Sequence, residues 1–230
     1  MSDIKTNLSV EEMEKAGVHL GHRVSRLHPK MKPYVSGIKH TVHTFDLEKT
    51  AKAFGKALDF ISKVRSKGGV ILFVGTKPHI RAQIKQTAIE CKMPYVVERW
   101  LGGTFTNFET IKKRVDHFKD LEKKKQSGEL NKYTKKERLL FDREINGLSL
   151  KFEGIRNMEK LPEVVFVVGL DKDMLVARES KMRGIPVMGL VDTNIDPKLI
   201  DYPIPANDDA ISSVKFILEK VKETILGVKT

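Results

Sequence analysis

Three short stretches of the chain are apolar at nearly every position: Gly69-Val-Ile-Leu-Phe-Val-Gly75, residues 164–169 (VVFVVG) and residues 187–191 (VMGLV). Runs of this length, bounded by glycine or polar residues, predict strands buried on both faces of a parallel sheet. Each is followed by a segment with helical spacing of its apolar positions, at 80–91, 175–183 and 210–226. Strands that alternate with helices predict right-handed crossovers and an open, mostly parallel α/β sheet flanked by helices. Residues 95–97 add a short strand, and residues 47–65 an amphipathic helix that stops at Gly68-Gly69.

Between residues 108 and 158 that rhythm breaks. Phe108, Ile111, Val115 and Phe118 step by three and four, as do Phe141, Ile145, Leu148, Phe152 and Ile155. Such seams predict an inserted antiparallel coiled-coil hairpin, with a turn at Gln126-Ser-Gly128 and a capping box from Thr134 to Glu137 at the start of its second helix. Its narrow apolar stripe leaves Lys112, Lys113, Arg114 and a run of further lysines facing solvent. At the other end of the chain, Ser9 and Glu12 form a capping-box pattern that predicts a short helix ended by Gly17. Residues 19–34 (HLGHRVSRLHPKMKPY) lack periodicity and carry two prolines, which predicts an extended basic arm, followed by one strand over 38–45. The organisation expected is a helix and arm over 1–46, an α/β core from 47–104 and 159–230, and the hairpin over 105–158.

Composition adds a direction. Forty-two Lys and Arg against 30 Asp and Glu leave a net charge of +12 on a chain that is 40% hydrophobic, so the charge sits on a folded body and points to an anionic partner. About +13 falls on residues 1–144 and −1 on 145–230. The partner of the first two thirds is therefore phosphate, and the last third faces solvent or protein. A single cysteine, Cys91, excludes an intramolecular disulfide and a thiolate zinc site. The acidic, polar N-terminus is neither signal nor transit peptide, and a cytoplasmic location with no membrane partner is expected.

For chemistry, Val74-Gly75-Thr76-Lys77 places a cation at a predicted helix start, a natural anion site, and Asp192 follows a predicted strand. Neither nucleotide fingerprint is present, however. A phosphate-binding α/β enzyme using Lys77 and Asp192 is the alternative to a nucleic-acid binder. His22 with Asp192 and Asp208 is a conceivable metal group, but turn and helix-cap roles account for those residues equally well, and no metal or cofactor is expected. The cations that suit phosphate contact are Arg23, Arg26, Lys30 and Lys32 in the arm, Lys77 and Arg81 at the helix start, Arg99, and the hairpin cations Lys112, Lys113 and Arg114. Trp100 suits a base stack or, better, an indole that pins the hairpin to the core.

Eight collinear motifs carry a resemblance. Gly17-Val-His-Leu-Gly-His22, Pro29-Lys-Met-Lys-Pro-Tyr34, Phe73-Val-Gly-Thr-Lys77, Arg99-Trp-Leu-Gly-Gly103, Leu161-Pro162, Gly184-Ile-Pro-Val187, Val191-Asp-Thr-Asn194 and Pro205-Ala-Asn-Asp-Asp-Ala210 resemble, in order and spacing, the bacterial ribosomal protein S2 family. The resemblance implies a flavodoxin-like fold with an inserted coiled-coil hairpin and a place in the small ribosomal subunit. Its implied partners are 16S rRNA and neighbouring ribosomal proteins, including the large mRNA-binding one, with no catalysis and no small-molecule substrate. Lys30, Lys32, Lys77 and Arg99 lie within matching motifs. The sequence departs from the family at Leu20, where Phe is frequent, and at Leu27-His28, where Trp-Asn is.

Overall fold

The computed structural model describes residues 8–228. Its centre is a five-stranded parallel sheet in the order β5-β4-β6-β7-β8, formed by β4 (Ile71–Val74), β5 (Tyr95–Val96), β6 (Val164–Val167), β7 (Val187–Val191) and β8 (Tyr202–Pro205). Every residue of β4, β6 and β7 is buried, which is why these strands read as unbroken apolar runs rather than alternating ones. Successive side chains serve opposite cores. Ile71, Phe73, Val164, Phe166, Met188 and Leu190 join one cluster, while Leu72, Val74, Val165, Val167, Val187 and Val191 join the other.

The first cluster is closed by α1 (Val10–Lys15), α2 (Leu47–Arg65), α3 (Arg81–Glu90) and α7 (Ile211–Gly227). The second is closed by α4 (Phe108–Gln126), α5 (Lys135–Phe152), α6 (Met174–Met182) and Met31 of the arm. Both sheet edges are guarded. β5 has only two residues, and β8 carries Pro203 and Pro205, which cannot donate to a further strand.

The α4 and α5 helices pack against each other, burying Ile111, Val115, Phe118 and Leu121 on one side and Ile145 and Phe152 on the other. Phe108, Phe141 and Leu148 of the expected seam are only partly buried. The Thr134–Glu137 capping box forms, with Thr134 N donating to Glu137 Oε2 at 2.9 Å. Where the hairpin returns to the sheet, a Cβ on Gly154 would lie 2.1 Å from Tyr95 O, so only glycine permits this approach.

Two expectations fail in the first 45 residues. The arm is extended only over β1 (Leu20–Arg23) and then winds into two 3-10 turns, Val24–Arg26 and Pro29–Tyr34. Pro29 supplies a first helical position, the His28 side chain accepts from Lys30 N at 3.3 Å, and Met31 is completely buried, so the prolines wind the chain instead of stretching it. The strand expected over 38–45 is a hairpin of β2 (Val35–Lys39) and β3 (Val42–Phe45), and β3 also pairs with β1. Its turn residues, His40 and Thr41, both have positive φ (48° and 68°), a conformation usually announced by Asn-Gly.

Candidate nucleic-acid interface

The carboxyl ends of the parallel strands converge on one crevice, the place where open α/β sheets hold ligands. Lys77 lies three residues beyond β4, Asp171 and Asp173 follow β6, Asp192 follows β7, and Asp208 and Asp209 follow β8. Lys77 is only 4% exposed, and its Nζ lies 2.8 Å from Asp208, 2.7 Å from Asp209 and 3.2 Å from Asp171. Burial works against its charge, but the three carboxylates outweigh burial and raise the ammonium above its ordinary pKa. Burial pushes the Asp208 carboxyl up to about 7, with Asp192 and Asp171 adding to the rise and Lys77 opposing it. Among the described residues the Oδ2 atom of Asp208 has no hydrogen-bond partner.

β1 brings His22 to the same crevice. Its Nδ1 lies 3.0 Å from Asp192 and its Nε2 3.4 Å from Asp209, and its backbone N donates to Thr193 Oγ1 at 2.9 Å. The hydrogen bond to Asp192 raises the imidazole pKa. Gly21 makes this docking possible, because a Cβ there would lie 2.5 Å from Thr193 Cγ2. Ligand atoms of His22, Asp192 and Asp209 lie within 4.8 Å of one another. The third member of that group is Asp209 rather than Asp208, whose Oδ1 is held by Lys77.

Four carboxylates around one lysine and one histidine make this crevice hostile to an incoming phosphate. The sequence expectation that Lys77 reaches phosphate meets a side chain enclosed by acids. Arg81 is likewise engaged: Nη1 bonds Glu98 Oε2 at 2.6 Å, Nη2 donates to Glu98 O at 3.2 Å, and Nε to Thr76 O at 3.1 Å. Asp192 and Asp208 are buried, so an outward acidic surface here reduces to Asp209 and Asp171.

The remaining expected cations do face outward. Arg23, Arg26, Lys32 and Arg99 are exposed, as are Lys112, Lys113 and Arg114 on the side of α4 away from its buried stripe. Lys30 is exposed but paired with Asp196. Arg99 is presented by a loop that one unforeseen residue holds in place. Glu179, buried in α6, accepts from Gly103 N at 2.8 Å, Phe105 N at 2.9 Å, Thr106 N at 3.2 Å and the Trp100 indole at 3.2 Å. Burial would raise its pKa, but these donors prevail and hold it below the ordinary glutamate value. Trp100 is buried edge-on against Phe105 and pins the hairpin entry rather than awaiting a base. The signal for Glu179 was available: it sits among Val176, Ala177 and Ser180 on the buried face of its helix.

Known proteins match this chain over most of its length. The sequence model of the family described as Ribosomal protein S2 matches residues 13–227. A small ribosomal subunit protein uS2 from Psychromonas ingrahamii is 44% identical over 219 residues, covering 95% of this chain and 90% of the relative. The protein of the same name from Fusobacterium nucleatum is 44% identical over 220 residues (95% and 89%), and that from Shewanella woodyi 44% over 216 residues (94% and 89%).

Proposed function

This chain belongs to the ribosomal protein S2 family, and on that premise we propose that it is a structural, non-catalytic component of the bacterial small ribosomal subunit. In that role it binds 16S rRNA and neighbouring ribosomal proteins, the large mRNA-binding one among them. The family match over residues 13–227 carries this reading. The distribution of charge supports it: cations of the arm, the loop at Arg99 and α4 face solvent, while the crevice that an enzyme of this fold would use is lined with carboxylates.

Docking is electrostatic and shape-based. Arg23, Arg26, Lys30, Lys32, Arg99, Lys112, Lys113 and Arg114 neutralise phosphates, and selectivity comes from the tertiary shape of the RNA and its 2′-hydroxyls. Lys77 and Arg81 act one step back, by holding the crevice and the Glu98–Arg99 turn in shape. The less basic C-terminal third turns toward protein. Tagged full-length chain, added to ribosomal subunits and sedimented through sucrose, is expected with the small subunit. Migration as free protein under conditions where the subunits stay intact contradicts the reading.

A further inference from the structure

We propose that the hollow between the first turns of α2, the end of the arm and the start of β8 binds one unstacked nucleotide of an RNA chain, with its base on a tyrosine ring and its phosphates on Lys52 and Lys56. The proposal rests on the RNA-binding reading above and gives part of that binding a place and a ligand.

The hollow holds about 350 Å³ and is walled by Tyr34, Lys49, Lys52, Lys56, Tyr202 and Pro203. That volume lies at the lower end of the range small ligands occupy. The three lysines recur at spacings of three and four, so they share one face of α2, opposite the Phe54, Ala57, Leu58 and Ile61 stripe that enters the core. They do not play equal parts. Lys49 is tied down, 3.0 Å from Asp46 and donating to Pro33 O at 2.8 Å, which fastens the arm to the helix and sets Tyr34 at the rim. Lys52 and Lys56 are exposed, and among the described residues neither has an ion-pair partner within 4.0 Å. The one acid in the wall, Asp201, is exposed at the rim, and its Oδ2 accepts from Val187 N at 2.8 Å, so one of its two oxygens is engaged with the sheet.

The second ring is fixed in advance. Tyr202 stacks on Phe60 with centroids 4.4 Å apart and planes at 20°, so its orientation costs no further ordering when a base arrives. Two rings with two unpaired cations across one small concavity match a nucleotide's two halves, a π-face and an anion. The next exposed cation along the arm, Lys32, offers a neighbouring phosphate a contact outside the hollow, as a polymer requires and a free nucleotide does not.

The test uses the full chain with a 16S rRNA transcript, ultraviolet cross-linking at zero length, and mass spectrometry of the digest. A nucleotide is expected on the peptides containing Tyr34 or Tyr202. Lys52→Gln with Lys56→Gln should weaken rRNA binding and reduce the slope of log affinity against log salt by about 1.4 to 1.8. Tyr34→Leu should weaken binding about fivefold or more and leave that slope unchanged. Cross-links confined to other segments, with affinity unaffected by the lysine pair while Arg23→Gln/Arg26→Gln lowers it, overturn the nucleotide site and leave the RNA-binding reading standing. Failure of the unmodified chain to bind the transcript removes both. The lysine pair is solvent-exposed, so its result does not depend on a variant that misfolds.

Discussion

Glu179 shows how one side chain decides where an exposed cation, Arg99, stands. Its carboxylate gathers three backbone N–H groups and an indole from residues 100–106, the segment that presents Arg99 and launches α4. Glu179→Gln keeps the shape but sets an amide donor against donors, and should cost on the order of 3 kcal/mol, read by urea unfolding at neutral pH. The folded-state pKa lies below the unfolded value, so this contribution is fully present above the ordinary glutamate range and fades as pH falls through the folded value. The stability gap between wild type and variant should therefore narrow in acid. A gap that is flat or widens there contradicts the assignment. Lys77 makes the complementary case. Lys77→Met leaves Asp208 and Asp209 without their cation, and a loss of about 3–5 kcal/mol is expected in the same unfolding measurement.

Among the elements, legibility followed burial. Strands β4, β6 and β7 announced themselves because both of their faces are covered, and α2, α4 and α5 because one face is. The β2–β3 hairpin did not, since His40 and Thr41 hold left-handed backbone that neither residue signals. His40→Asn with Thr41→Gly should stabilise the fold by about 1 kcal/mol, measured as a shift in the urea midpoint at unchanged slope. No gain would mean that contacts of the native pair offset the strain. The arm was misread for a related reason: prolines that break a long helix also start a short one, and only the burial of Met31 tells which. Within the crevice, Lys77 and Asp192 were legible from their positions after apolar strands, and Asp208 only as one of a cluster of acids. Their enclosure was not legible, because it depends on His22 of β1 and on the loops after β4, β6, β7 and β8, far apart in the chain, meeting at one place. On α4, Lys112→Glu/Lys113→Glu/Arg114→Glu should leave the melting temperature nearly unchanged and weaken rRNA binding. The three residues lie outside the buried stripe, so a folding defect in this variant would count against the placement.

At the scale of the whole molecule, the +12 divides into an inside and an outside. Some cations, Lys77 and Arg81 among them, are paired within the fold, and exposed ones lie on the arm, the Arg99 loop, α2 and the hairpin, with the last third of the chain near neutral. Among the described residues no helix is long and apolar enough to cross a membrane. The most direct test of electrostatic docking is the affinity of the full chain for 16S rRNA measured across a range of salt. Its logarithm should fall linearly with the logarithm of salt concentration, by about 0.7 to 0.9 for each phosphate neutralised. With the eight outward cations engaged, the slope is steep, on the order of −6. A binding constant that does not change with salt would contradict the account.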